Sequence, residues 1–184
     1  MIGLFGGSFN PPHLGHVALL DAARQELGLE RVVVYVAVRP AYKDVDEDAA
    51  IRLELARAAF PGCDVEREES TSDATVREAE RRFGDVVFLV GADQFVDFPG
   101  WHDPAAVLEH GRLGVATRPG YPRELLDETL DRVTRPDRVL FFDIPELPIS
   151  SSEIRDRAAR GEPIDAFVPA AVAELVHERA LYRP

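Results

Sequence analysis

The sequence predicts a doubly wound α/β fold with a mainly parallel sheet, and three observations carry that expectation. Short β-branched runs alternate with longer amphipathic segments. Two of the runs, Val32–Val38 and Val86–Val90, are apolar throughout, as strands are when both faces of a parallel sheet are covered. Strands that alternate with helices in this way build βαβ units. The chain has 184 residues, 46% hydrophobic and 29% charged, which suits one domain over residues 1–184 and rules out wholesale disorder.

Ile2–Phe5 is a short apolar strand that runs into Gly6-Gly7. Val17, Leu20, Ala23 and Leu27 recur near helical spacing, so Val17–Leu27 is a helix, stopped at Gly28. Arg31–Val38 is the second strand. Asp48–Phe60 reads as a helix ended by Pro61-Gly62, Cys63–Glu66 as a short strand, and the stretch from about Thr71 to Phe83 as a helix. Val86–Val90 follows as a buried strand ending at Gly91-Ala92-Asp93, and Leu113–Ala116 and Val139–Phe142 are two more. Helices are expected after Pro104, over Pro122–Val133, after Ser150, and from Pro169 to about Arg179, which makes the portion from about 150 to 184 helical. Arg39–Asp48 and Glu66–Asp73 read as loops. The whole pattern is Rossmann-like, an architecture in which ligands bind beyond the carboxyl ends of the strands.

Composition narrows the partners. With 33 acidic against 21 basic side chains the net charge is −12, which argues against adhesion to nucleic acid or anionic lipid. The lone Cys63 excludes an intramolecular disulfide framework and a multi-cysteine zinc site. No stretch approaches 18 apolar residues and the start lacks a signal-peptide pattern, so the expected location is cytoplasmic. Oligomeric state leaves no local signature.

The first turn, Gly6-Gly7-Ser8-Phe9-Asn10-Pro11-Pro12-His13-Leu14-Gly15-His16, follows a strand and enters a helix. Two glycines let the backbone approach a ligand closely. His13 and His16 are three apart and share one helical face. Unpaired N–H groups at a helix start favour an anion, and imidazole N–H donors add to them, so the group suits phosphate. Taken alone, the glycines also make an ordinary turn, and the histidines are also compatible with a metal or a structural role. The string is neither a Walker loop nor a G-x-G-x-x-G fingerprint. Near the other end, Ile149-Ser150-Ser151-Ser152-Glu153-Ile154-Arg155 opens a helix. A capping box explains much of it, yet three hydroxyls with Arg155 one turn in also form a polyphosphate cradle.

Gly7–His16 resembles the HxGH motif of the nucleotidylyltransferase superfamily, with Asn10 where the family usually has Asp. Ile149–Arg155 resembles the ISSTxIR motif, with Ser152 at the Thr position. Val90-Gly91-Ala92-Asp93, Phe98-Pro99-Gly100-Trp101, Arg118-Pro119-Gly120-Tyr121 and the run from Phe167 to Arg183 are similar to bacterial nicotinate-nucleotide adenylyltransferases. The resemblance covers essentially the whole chain. It implies transfer of AMP from ATP to nicotinate mononucleotide, giving deamido-NAD and pyrophosphate in NAD biosynthesis.

It also implies site roles. His16, His13 and Arg155 would be catalytic; Gly7, Ser8, Phe9, Gly91, Asp93, Ile149, Ser150, Ser151 and Ser152 would join them around ATP. Lys43 (the sole lysine), Ser72, Trp101, His102 and Arg118 would hold the acceptor. Trp101 can stack on a pyridine ring, while its other reading is a loop anchor. Magnesium would accompany ATP, with no dedicated protein metal site. Two departures bear on the pyridine substituent: Tyr42 stands at a family His position, and Ser70-Thr71-Ser72 replaces Ser-Tyr-Thr. The choice between acid and amide pyridines therefore stays open. So do another phosphorylated acceptor such as nicotinamide mononucleotide or phosphopantetheine, and a non-catalytic nucleotide sensor.

Overall fold

Six strands, all of them expected from the sequence, form one sheet. They are β1 (Ile2–Gly7), β2 (Arg31–Ala37), β3 (Asp64–Glu68), β4 (Val86–Gly91), β5 (Arg112–Thr117) and β6 (Val139–Asp143), in the order β3-β2-β1-β4-β5-β6. The structure, a computed structural model, describes residues 1–39 and 47–183. Strand order runs outward from β1 to β3, then resumes on the other side of β1 with β4, the doubly wound pattern. The pairings β1–β4, β4–β5 and β5–β6 are parallel, with Leu4 opposite Phe88, Val90 opposite Val115, and Val115 opposite Phe141.

The helices are α1 (Leu14–Glu26), α2 (Ala49–Ala59), α3 (Ser72–Phe83), α4 (Ala92–Asp97), α5 (Pro104–His110), α6 (Arg123–Leu130), α7 (Ser151–Ala159) and α8 (Ala170–Glu178). Three departures from the sequence reading have physical causes. First, α1 extends back beyond the apolar period of Val17–Leu27 to Leu14, close to the histidine-bearing first turn read from the motif, because the His13 carbonyl already accepts from the His16 and Val17 N–H groups. Second, the expected loop Glu66–Asp73 is mostly ordered: β3 continues to Glu68, whose carbonyl accepts the Val38 N–H at 2.9 Å, and α3 starts at Ser72. An edge strand tolerates the polar run Glu66-Arg67-Glu68, so its extent carries no apolar signal. Third, the segment after Gly91 folds as α4, a helix too short to show a period.

Backbone packing divides the chain into two compact units. One comprises Met1–Gly6, Leu19–Val33 and Ser70–Glu146; the other comprises Gly7–Ala18, Val34–Glu69 and Leu147–Pro184. In the first, the core strands contribute Leu4, Val87, Leu89, Leu113 and Val115, and Leu20, Ala23, Val76 and Val107 come from helices, all buried. In the second, Phe9, Val34, Val36, Leu55, Ile154 and Val172 are buried. Among the described residues no helix is long and apolar enough to cross a membrane.

The short α4 is held by Phe95, which is fully buried and meets the Phe141 ring edge-on at 5.6 Å. Phe95→Ala should therefore cost about 3–5 kcal/mol, read as a lower urea midpoint with unchanged slope. A midpoint near the parent's would mean that α4 does not depend on this anchor.

Candidate functional site

In the second unit, the turn after β1 is built around Phe9. Its backbone is left-handed, at φ 47°, and its ring turns inward at 1% exposure. There it meets His16 and Phe60 edge-on, each at 5.3 Å between ring centroids. A Cβ on Gly7 would lie 2.8 Å from the tip of that ring, so only glycine fits beneath it. The Phe9 side chain is thus a wall of the turn, and what the residue can offer a ligand is backbone.

His13 immediately precedes α1 and His16 lies in its first turn. Their rings stack at 3.8 Å, tilted by 35°. The His16 Nδ1 accepts the His13 backbone N–H at 3.2 Å, so a neutral His16 carries its proton on Nε2 and donates from there. A Cβ on Gly15 would come 3.0 Å from the His13 Nδ1, which explains a glycine between the two histidines.

Donors from distant parts of the chain hold the carbonyls of this turn. Arg155 donates to the Asn10 carbonyl at 3.0 Å and the Ser151 hydroxyl to the Pro11 carbonyl at 2.9 Å. The Tyr182 hydroxyl donates to the Asn10 side-chain Oδ1 at 3.0 Å. Arg52 of α2, 1% exposed, donates to the carbonyls of Ser8 (2.9 Å), Ala37 (2.6 Å), Val38 (3.1 Å) and Glu47 (3.0 Å). Burial pulls the Arg52 guanidinium below its usual value, although arginine keeps its proton in proteins. Fixing a carbonyl also fixes the N–H on the other side of its peptide plane. The turn's N–H groups therefore have set directions before any anion arrives.

The motif at α7 divides its work. Ser150 caps the helix, accepting the Glu153 N–H at 3.1 Å, as a capping box predicts. Ser152 lies 3.5 Å from an Arg155 nitrogen, and the Ile149 N–H bonds the Leu147 carbonyl. Ser151 and Arg155, read from the sequence as contacts to phosphate, also brace the first turn.

In the first unit, Gly91 caps α4 and its N–H donates to the Gln94 side chain at 3.3 Å. A Cβ added at Gly91 would meet nothing within 4 Å. Asp93 is exposed beside Tyr121. Burial, and then the Asp93 carboxylate that accepts its hydrogen bond, push the Tyr121 phenol above its ordinary value. Arg118 is exposed just beyond β5. Trp101 packs edge-on against Phe98 at 5.4 Å and Phe88 at 6.2 Å, so the indole is a loop anchor and is still partly exposed. Ser72 opens α3, and the next residue, Asp73, is buried and bonded to His102 Nδ1 at 3.0 Å. Lys43 and Tyr42 lie outside the described residues. Among the described residues no group of three or more His, Cys, Asp or Glu side chains is placed to hold a metal ion.

Arg52, Tyr182 and Asp73 were not among the residues the sequence singled out. Arg52 does leave a trace: it shares a helical face with Leu55, Ala56 and Ala59, a charge on an apolar stripe.

Residues 4–157 match the family described as cytidylyltransferase-like. The chain is 37% identical to a probable nicotinate-nucleotide adenylyltransferase of Exiguobacterium sibiricum, over 98% of each chain. It is 38% identical to one of Thermus thermophilus, over 99% of each. Its fold is similar to that of a Plasmodium falciparum nicotinic acid mononucleotide adenylyltransferase complexed with NaAD. That likeness has a TM-score of 0.77 at 16% identity, over 98% of this chain and 96% of the other.

Two outcomes follow from the buried charges. Arg52→Met leaves four carbonyls without their donor, at about 1–3 kcal/mol for each one left unsatisfied. Urea unfolding should register a loss of at least about 3 kcal/mol; a loss below about 1 would show that the carbonyls find other donors. At Asp73, burial raises the carboxyl, but hydrogen bonds from the Thr71 hydroxyl and His102 outweigh it and hold the group below its ordinary value. A depressed carboxyl adds stability that is complete above its unfolded value, about 3.9, and is lost as pH falls through the folded one. The stability gap between parent and Asp73→Asn should be widest near neutral pH and close only as pH falls through the carboxyl's lowered folded value.

Proposed function

We propose that this chain, which belongs to the nicotinate-nucleotide adenylyltransferase family of cytidylyltransferase-like proteins, transfers AMP from ATP to nicotinate mononucleotide. The products are deamido-NAD and pyrophosphate, a step of NAD biosynthesis. One observation carries the reading furthest. The two phosphate motifs, 140 and more positions apart, are bonded to each other through Ser151 to Pro11 and Arg155 to Asn10.

A phosphate oxygen of the acceptor attacks the α-phosphorus of ATP. As that P–O bond forms, the bond to the bridging β-phosphate oxygen breaks, and its electron pair leaves with pyrophosphate. The acceptor phosphate is already anionic near neutral pH, so no side chain need remove a proton. Catalysis then rests on positioning and on charge stabilisation. His16 donates from Nε2 to the α-phosphate, and its tautomer is set by the bond to the His13 N–H. His13, the backbone of Gly7, Ser8 and Phe9, and the α7 hydroxyls with Arg155 bind the remaining phosphate oxygens. Gly91 and Asp93 approach the nucleotide sugar. Trp101, His102, Ser72, Arg118 and Lys43 take the acceptor.

Magnesium would accompany ATP and offset part of the charge on its phosphates. The donors around the turn are N–H, O–H and guanidinium groups, which suit phosphate rather than a cation, so the phosphates and water would hold the ion. A cytoplasmic location agrees with a single cysteine and a small anionic substrate pair.

The test is pyrophosphate release with ATP and a panel of nicotinate mononucleotide, nicotinamide mononucleotide and phosphopantetheine. Fastest turnover with a pyridine mononucleotide is expected; none with any acceptor, despite ATP binding, would leave a sensor instead. In the same assay His16→Ala should lose about a hundred- to thousand-fold in turnover, with ATP affinity changed far less. Near-normal turnover would remove His16 from the chemistry.

A further inference from the structure

Tyr182 holds a backbone conformation that no secondary structure around it explains. It follows α8, whose end is closed by a Schellman motif: the Ala180 N–H donates to the His177 carbonyl at 3.2 Å and the Leu181 N–H to the Val176 carbonyl at 3.0 Å. Ala180, at φ 51°, is the left-handed residue that such a stop uses. Tyr182, at φ 61°, ends no helix. A bulky residue in that region is an outlier, and it persists only where its surroundings fix it. Leu181, 6% exposed, anchors it on one side. On the other, its hydroxyl donates to the Asn10 side-chain Oδ1 at 3.0 Å, across 172 positions. Asn10 is 2% exposed, and its buried Nδ2 meets no acceptor among the described residues. The Tyr182 hydroxyl therefore makes the one side-chain hydrogen bond of this amide, and alone decides which way it faces.

We propose that Tyr182 is a positioning residue for the transfer, acting through the Asn10 amide on the turn that aims His16. This rests on the transfer reading given above. Asn10 follows Phe9, whose own backbone is left-handed and whose ring meets His16 edge-on at 5.3 Å. A shift at Asn10 thus reaches His16 through one peptide bond and one ring contact. Without the Tyr182 hydroxyl both ends of a buried amide would lack a partner, and the amide would move to find one, carrying the turn with it. A donor stabilises the transition state to the extent that it is aimed before charge develops there, whereas ground-state ATP is held by many contacts and tolerates one loosened donor. Loss of the hydroxyl therefore falls on kcat rather than on ATP affinity.

The experiment measures kcat and KM for ATP by pyrophosphate release, with nicotinate mononucleotide as acceptor, on the parent, Tyr182→Phe, His16→Ala and the double variant. Tyr182→Phe removes one oxygen from a partly exposed ring and keeps its packing. It should lower kcat about tenfold, the worth of one hydrogen bond, with KM for ATP unchanged. A residue that acts only through His16 has nothing left to act on once that imidazole is gone. In the His16→Ala background the same change should therefore cost less than about twofold. Asn10→Ala, which removes the acceptor of the bond, should lower kcat as Tyr182→Phe does, and adding Tyr182→Phe to it should cost nothing more. A parent-like kcat in Tyr182→Phe overturns the role of Tyr182, and so does an equal loss with and without His16, the mark of a merely structural residue. No pyrophosphate from the parent overturns the transfer reading itself, and the role of Tyr182 with it.

Discussion

A turn that is to hold an anion with its N–H groups must send its carbonyls elsewhere, and each buried carbonyl needs a donor. In this protein Arg52, Arg155 and Ser151 supply those donors, from α2 and α7, and Tyr182 donates to the Asn10 side chain. Arg52 is the most exacting of them. Burying a guanidinium carries a desolvation penalty of several kcal/mol, recovered only when its N–H groups are matched, and here four carbonyls match them. The planar fork of arginine suits several fixed acceptors at once, which a lysine ammonium does not. The end of β2, the start of α2 and the turn are thus tied to one side chain. The same requirement explains why Ser151 and Arg155 belong with the turn although they lie far along the chain.

Legibility followed chemistry. β1, β2 and β4 were readable because central parallel strands are apolar on both faces, and β4 runs Val-Val-Phe-Leu-Val. The full length of β3 was not, because an edge strand of alternating charge looks like a loop. His13, His16, Ser151 and Arg155 stood out as two contiguous strings. Their division of labour did not, since the bonds of Ser151 and Arg155 to the turn span 140 and 145 positions. Arg52 showed only as a charge on an apolar helical stripe. His102 was singled out for the acceptor, but its bond to Asp73, 29 positions away, left no local trace. Contacts made by single side chains across the fold have no period, and periodicity is what a lone sequence offers.

The net charge of −12 stands apart from a site built for phosphate, and the structure shows where part of the acidic excess is engaged. Asp48 caps α2, its carboxyl lowered by hydrogen bonds from the Ile51 and Ala50 N–H groups. Glu162 pairs with Arg160, Asp137 with Arg135, and Asp85 with Arg112, exposed pairs that add little to stability. Such acids are neutralised locally and, in water, are screened within about 10 Å at ordinary ionic strength. They do not govern a turn whose own peptide N–H donors are neutral.

That neutrality has a consequence for the proposed transfer. Peptide N–H groups, serine hydroxyls and a His16 fixed as the Nε2–H tautomer are dipoles whose directions the scaffold has already set. Dipoles held in place need little reorganisation as charge redistributes over the α-phosphate, which is where preorganised donors act most strongly. A cluster of flexible cations would bind ATP in its ground state as tightly as at the transition state, lowering KM without raising kcat. A phosphate turn whose own donors are preset dipoles, with Arg52 and Arg155 bound to its carbonyls, is therefore suited to turnover rather than to retention of ATP. The bracing by Arg52, Arg155, Ser151 and Tyr182 is the structural condition for it.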